Sequence, residues 1–193
     1  MANSITDRKG LTKALMNYSS RFKEEELFRI EFLELLKQER CFHRDHFPGH
    51  ITGSAWIVNE DRSKVLLVHH AKLHRWLQPG GHADGEENVM NVAIREAEEE
   101  TGVTGFSVLH EGIFDMDIHV IPARKEIPEH LHYDLRFLLE ADDTIPLLIS
   151  EESNDVQWIN VKELAAFNDE PSLLRLRDKS FALKYERLEI LCP

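Results

Sequence analysis

The sequence predicts an α/β (α+β) fold, an α/β/α sandwich with a mixed sheet between helices. Three observations point there. Apolar, strand-like stretches recur through the middle of the chain, among them ITGSAWIV, KVLLVHH and DVQWINV. A glutamate-rich helical stretch interrupts them, so strands fall on both sides of a helix. Helical patterns also mark both ends of the chain.

Taken in order, the first forty residues read as helical. EEELFRIEFLELLKQE, residues 24–39, opens with acids and closes near Lys37 and Arg40, an order that suits the helix dipole. Leu27, Ile30, Phe32, Leu33, Leu35 and Leu36 give it a broad apolar face, which must pack on the domain or on a second subunit. FPGH at 47–50 breaks the pattern. Strands follow at 51–58 and 64–70, joined by the turn NEDRS. Further strands are expected within 106–121, at 131–140 and at 155–161. KELAAF reads as a short helix, and a last helix begins at Pro171, a residue suited to a first helical turn. The expected division is an N-terminal helical extension over 1–44 and a domain over 45–193 that includes the C-terminal helix.

Composition narrows the function. The formal net charge is −12, and an acidic surface repels phosphate backbones, so nucleic acid is not the expected partner. A small anion can still bind where a cation supplies local positive charge. No stretch approaches the roughly 20 apolar residues of a membrane helix, and the N-terminus has no apolar signal-like core, so a cytoplasmic protein without a membrane partner is expected. Cys41 and Cys192 have no metal-ligand spacing and fit a reducing compartment.

The chemistry is concentrated around REAEEETG, residues 95–102. Crowded carboxylates on a helix repel, by a few tenths of a kcal/mol per pair. On a helix over 89–101, Met90, Ile94, Ala97 and Thr101 form a mostly apolar stripe. Glu96, Glu99 and Glu100 share another face at i, i+3 and i+4, and Glu98 points elsewhere. Gly102 ends the helix. A solvated acidic face is the plain explanation. Against it stands the preceding loop, with Pro79, Gly80, Gly81 and HADGE, which lets backbone approach a ligand closely. Clustered carboxylates beside such a loop are what a hard divalent cation requires. A Glu87–Arg95 contact is expected to brace the loop against the helix.

Residues 81–103 resemble the Nudix box. Gly81 is followed by five residues, Glu87, seven residues, Arg95 and Glu96, then Ala97, Glu98, Glu99, Glu100, Thr101, Gly102 and Val103. Each fixed position matches, and only Ala97 is smaller than the usual aliphatic residue. The resemblance covers about residues 45–165 and leaves the first forty outside. It implies a Nudix-like fold and hydrolysis of a nucleoside diphosphate linked to another moiety, X, with Mg²⁺ or Mn²⁺. It implies that Glu99 and Glu100 bind metal, and that Glu96 either ligates metal or takes the proton from the attacking water. The Gly80 carbonyl is a further metal ligand by the same likeness. Arg95 belongs to the catalytic motif, with a structural part more than a reactive one. Gly81, Glu87 and Gly102 are the structural members. A homodimer is also an expectation, from the family and the N-terminal helix.

Outside the box the signals are thinner. Glu129, Asp134, Glu151 and Glu152 are candidates for additional metal ligation. His69, His70, His74 and His82 lead into the box, with His82 directly after Gly81. Arg75, Arg124, Lys125 and Arg136 are candidate phosphate contacts, and Arg75, His82 and Arg136 are the substrate-binding choices. His130, His132 and Asp134 share one strand face, read either as a zinc-type cluster or as the polar side of a half-buried strand. Trp56, Trp76 and Trp158 are read as core more than as base-stacking residues. Competing activities are an isoprenyl-diphosphate isomerase, a non-catalytic nucleotide sensor and an RNA-cap hydrolase. The intact box argues against the first two, and the −12 charge against the third.

Overall fold

The computed structural model describes the backbone of residues 5–191 and the side chains of residues 5–182; Cys192 lies outside the described residues. Two helices come first, α1 (Arg8–Asn17) and α2 (Lys23–Leu35). Strands β1 (Gly49–Val58), β2 (Lys64–His70), β3 (Arg75–Leu77) and β4 (Gly80–His82) follow. Then come α3 (Val89–Thr101), β5 (Ser107–Val108), β6 (Asp115–Ile121), β7 (His130–Glu140), β8 (Ser153–Asn160), α4 (Leu164–Phe167) and α5 (Pro171–Leu191). The expected strands and helices are all present, with two changes. The 106–121 stretch is split into β5 and β6, and the loop before the box contains two short strands, β3 and β4, that its glycines concealed.

The strands run β3-β2-β1-β7-β5, with β4 on β1, β6 on β7 and β8 on β2. The registered pairs β1–β2, β1–β4, β2–β3, β2–β8, β5–β7 and β6–β7 are antiparallel. β1 and β7 run the other way: Leu131 N donates to Pro48 O and Ala141 N to Val58 O, a ten-residue advance on both strands. That pair is parallel, so the sheet is mixed, as the sequence predicts.

Contacts group the chain into two compact units. The first comprises Met1–Ala55, Gly80–Glu96 and His110–Phe137. Its core includes Leu11, Leu15, Phe32, Phe42, Ile51, Met116, Leu135 and Phe137, each fully or almost fully buried. Burial of such a side chain is worth about 1.5–3 kcal/mol. Phe32 meets Tyr133 edge-on, with centroids 5.3 Å apart. Asp7 caps α1 by accepting from Gly10 N at 2.7 Å. Helix α2 stops four residues short of the expected end, and Leu27 and Ile30 face solvent. Its packed side is Glu25, Phe32 and Leu35. The buried Glu25 is satisfied by Tyr18 Oη at 2.5 Å, by Ser20 Oγ, and by Met116 N at 3.2 Å, which ties α2 to β6.

The second unit comprises Trp56–Pro79, Ala97–Leu109 and Leu138–Pro193. Its core gathers Trp56, Ile57, Leu66, Leu67, Val103, Leu138, Leu139, Leu173 and Leu176. The NEDRS turn closes through Arg62 N to Asn59 O and Lys64 N to the Asn59 side chain, both 2.9 Å, with Arg62 at φ +56°.

Candidate active site

The site is assembled from a loop and a helix. Strand β4 pairs with β1 at Thr52–His82, Gly53–Gly81 and Ser54–Gly80. A Cβ on Gly80 would lie 2.9 Å from Gly53 O, so the pairing itself requires glycine there. Asp84 (φ +49°) and Gly85 (φ +93°) then turn the chain, and Gly85 N donates to Phe42 O. Asp84 is held by Arg44. Asn88 accepts from Asn91 N at 3.3 Å and opens α3. Gly102, at φ +72°, ends it, its N–H donating to Glu98 O at 2.9 Å.

The buried side of α3 is Val89, Val92, Ala93, Ala97 and Thr101. Met90 and Ile94, expected in that stripe, are only half-buried. The reason is close approach to the sheet: a Cβ on Gly53 would lie 2.8 Å from Val89 Cγ1, which leaves room for Val and Ala but not for longer side chains.

Along the same helix the three carboxylates differ in exposure. Glu99 is exposed, Glu96 half-buried, and Glu100 buried at 8% exposure. Gly81 passes directly over Glu96: a Cβ there would stand 2.6 Å from Glu96 Oε1. Backbone thus sits against a carboxylate, as a site for a small hard cation needs, and the donors are all oxygen, which fits Mg²⁺ or Mn²⁺. Arg95 contacts Glu96 Oε1 at 2.7 Å and donates to His82 O at 3.3 Å. It fixes both the carboxylate and the end of β4.

The expected Glu87–Arg95 brace is replaced by another. Glu87 accepts from Arg8 N at 2.9 Å and from Arg8 Nε at 3.2 Å. The same guanidinium donates to the carbonyls of Leu36, Gln38 and Glu39 at 3.2, 2.8 and 2.6 Å, just past the end of α2. No local pattern links residue 8 to residue 87, so nothing in the order of residues signals this pair.

Arg136 is not the exposed phosphate contact expected. It is 3% exposed and its guanidinium reaches Asp134 at 2.9 Å, Asp117 at 3.1 Å and Asp115 at 3.3 Å. Burial opposes its charge, but the three aspartates more than offset this and hold its pKa above the ordinary value. Asp134 also accepts from Thr52 Oγ1 at 3.0 Å and Ser54 Oγ at 2.7 Å, so it is committed to β1 and not to a metal. Arg75 is exposed and paired with Glu170. His82 is half-buried, and burial, with Arg44 next in effect, pushes its pKa down to about 4. His69 meets Asn154 at 3.1 Å, His70 is half-buried, and His74 is exposed. Glu129, Glu151, Glu152, Arg124 and Lys125 are exposed. Trp56 is core, while Trp76 is half-buried edge-on to Phe167 at 5.8 Å and Trp158 is half-buried.

Comparison with known proteins bears on the family and the fold. A sequence model of the NUDIX domain matches residues 49–179. A probable DHNTP pyrophosphohydrolase of Lactococcus lactis is 33% identical over 95 residues, which is 48% of this chain and 55% of the relative. The chain thus spans about half the length of that relative. The asymmetrical bis(5′-nucleosyl)-tetraphosphatase of Rattus norvegicus is 27% identical over 114 residues, 58% of this chain and 75% of the relative. Among solved structures, a C. elegans Ap4A hydrolase binary complex superposes with a TM-score of 0.57 at 20% identity, covering 69% of this chain and 96% of that one. The E. coli dihydroneopterin triphosphate pyrophosphohydrolase superposes at 0.52 with 15% identity, over 67% and 92%. These structural likenesses show the fold, and the domain match extends over most of the chain. With the complete box in place on α3 and its loop, this chain belongs to the Nudix family.

Proposed function

We propose that this chain is a metal-dependent hydrolase of small nucleoside polyphosphates or nucleoside diphosphate derivatives, in which water attacks phosphorus within the phosphate chain. The observation that carries the reading is the box helix α3, with Glu100 buried in it and Gly81 laid over Glu96. Two relatives, by name a tetraphosphatase and a DHNTP pyrophosphohydrolase, favour substrates with several phosphates in series.

Glu99 and Glu100 would hold Mg²⁺ or Mn²⁺, with Glu96 either a third ligand or the acceptor of the water's proton, and the Gly80 carbonyl a further ligand. When bound, the ion neutralises charge on the substrate phosphates. Arg95 holds Glu96 in place through its 2.7 Å contact. Gly81 keeps the space above that carboxylate free of side-chain atoms. Arg8 holds Glu87 and with it the loop that feeds α3. Arg75 and His82 stay candidates for substrate contact.

Residues 45–193 are proposed as the catalytic part and 1–44 as an attached brace. Among the described residues no helix is long and apolar enough to cross a membrane. A cytoplasmic location, a homodimer, and the absence of a nucleic-acid partner belong to the same proposal.

The test is a panel of nucleoside triphosphates, dinucleoside polyphosphates, nucleotide sugars, isopentenyl diphosphate and capped RNA, run with Mg²⁺ and with Mn²⁺ in ¹⁸O-labelled water. Label in a phosphate product supports attack at phosphorus. Isomerised isopentenyl diphosphate, or binding without turnover, would favour the isomerase or the sensor instead.

A further inference from the structure

Five histidine rings meet in the first unit, one of them, His82, from the box loop and the other four from outside the box. His132 lies at the hub, with centroid distances of 4.9 Å to His50, 4.9 Å to His82, 5.3 Å to His130 and 5.5 Å to His119. His50 and His130 are stacked at 5.1 Å. These residues are far apart in sequence, and only His130 and His132 share a strand. The topology joins them, because the starts of β1 and β7 lie side by side through the Leu131–Pro48 hydrogen bond.

Three of the five are arranged as a donor set. One nitrogen from each of His50, His130 and His132 lies within 4.8 Å of the others. Backbone carbonyls select the nitrogen. His50 Nδ1 faces His46 O at 3.3 Å and His130 Nδ1 faces Pro128 O at 2.8 Å. With the protons on Nδ1, the Nε2 of both rings keeps its lone pair. Carbonyl partners on the outer nitrogen are the usual support of metal-bound histidine. His50 is 1% exposed and its Nε2 has no hydrogen-bond partner; His132 Nε2 is also buried without one. A buried polar atom left unsatisfied is destabilising, and here two fall in one cluster.

We infer that His50, His130 and His132 form a second metal site, built without any of the box glutamates, that takes a first-row transition ion of the Zn²⁺ class through three imidazole nitrogens. The set has no carboxylate, so it suits Zn²⁺ and disfavours Mg²⁺. Burial also favours the neutral form of two of the rings, lowering the His50 pKa and pushing His132 down to about 2, so their lone pairs are available at ordinary pH. A tetrahedral ion with Zn–N near 2.0–2.1 Å requires nitrogens about 3.4 Å apart, so binding draws the three rings closer by side-chain rotation. The fourth position is left for water or an anion. The ion would clip the start of β1 to the start of β7. Asp134, two residues beyond His132, takes no part, since it holds Thr52, Ser54 and Arg136.

The test uses the full chain, stripped with a chelator and checked for fold by circular dichroism. Co²⁺ is added in the presence of excess Mg²⁺, and Zn²⁺ retention is measured by atomic emission after gel filtration. The expected result is about one Zn²⁺ per chain and the strong visible bands of four-coordinate Co²⁺, displaced by Zn²⁺. His130→Asn and His132→Asn should each weaken binding about 10-fold or more, while Glu99→Gln leaves it unchanged. Absence of both retained Zn²⁺ and the Co²⁺ bands in the unmutated chain overturns the proposal. So does loss of the bands in Glu99→Gln with their survival in His130→Asn. The wild-type measurement decides the matter even if a histidine variant fails to fold.

Discussion

Replacing Arg136 by Met removes one buried positive charge and leaves Asp115, Asp117 and Asp134 facing each other, at 0%, 8% and 4% exposure. Each contact, at 2.9–3.3 Å, is worth about 5 kcal/mol of gross attraction at an effective dielectric constant of ~20. Most of that is cancelled by the cost of burying the guanidinium, which Met does not incur. What remains is the cost of three buried carboxylates deprived of their shared cation, about 3–5 kcal/mol for a broken buried pair. Against a total stability of roughly 5–15 kcal/mol this is a large fraction. Urea unfolding at pH 7 should show it as a lower midpoint. A phosphate-binding arginine would behave differently, with stability nearly unchanged and KM raised. A loss below about 1 kcal/mol would refute the structural role of Arg136 among the three aspartates.

Three further outcomes are expected. Mg²⁺ or Mn²⁺ should raise the Tm of the wild-type chain, and Glu100→Gln should abolish turnover and most of that rise while the metal-free variant stays folded; a full metal-induced rise in the variant would remove Glu100 from the site. Arg8→Ala should cost more stability than Glu87→Gln, about 1–3 kcal/mol against 1 or less, because Arg8 also serves three carbonyls beyond α2; equal losses in chemical denaturation would show that the ion pair alone matters. In a Cys192→Ser chain, Cys41 should resist a thiol reagent at pH 8 until denaturant is added. Its side chain is fully buried and burial pushes its pKa to about 11, so on the order of one thiol in a thousand is ionised; prompt labelling of the native chain would contradict that placement.

The elements most legible in the sequence are those set by periodicity or by a dense local motif. β2 falls at its expected residues, and the i, i+3, i+4 spacing of Glu96, Glu99 and Glu100 sets the face of α3 proposed to bind metal without any tertiary information. What stays hidden depends on partners distant in the chain. The packed stripe of α3 shifts from Met90 and Ile94 to Val89, Val92 and Ala93 because Gly53, 36 positions earlier than Val89, brings β1 so close. Arg136 resembles any other strand arginine until Asp115 and Asp117 are paired across from β7 by the β6 hairpin. His130 and His132 carry a visible hint in their spacing, whereas His50 joins them only through the parallel pairing of β1 with β7. β3 and β4 are three residues each, too short for any alternation to show.

The grip of Arg8 on Glu87 carries a consequence for inheritance. The segment shared with other family members begins at residue 49, yet a residue upstream of it holds one of the motif's own glutamates. A lineage that lost or exchanged its leading helices would keep every letter of the motif and still alter the loop that feeds α3. On this contact the leading helices and the motif are expected to change together: a chain without Arg8 would need another cation, or a different residue at 87, to keep that loop in place.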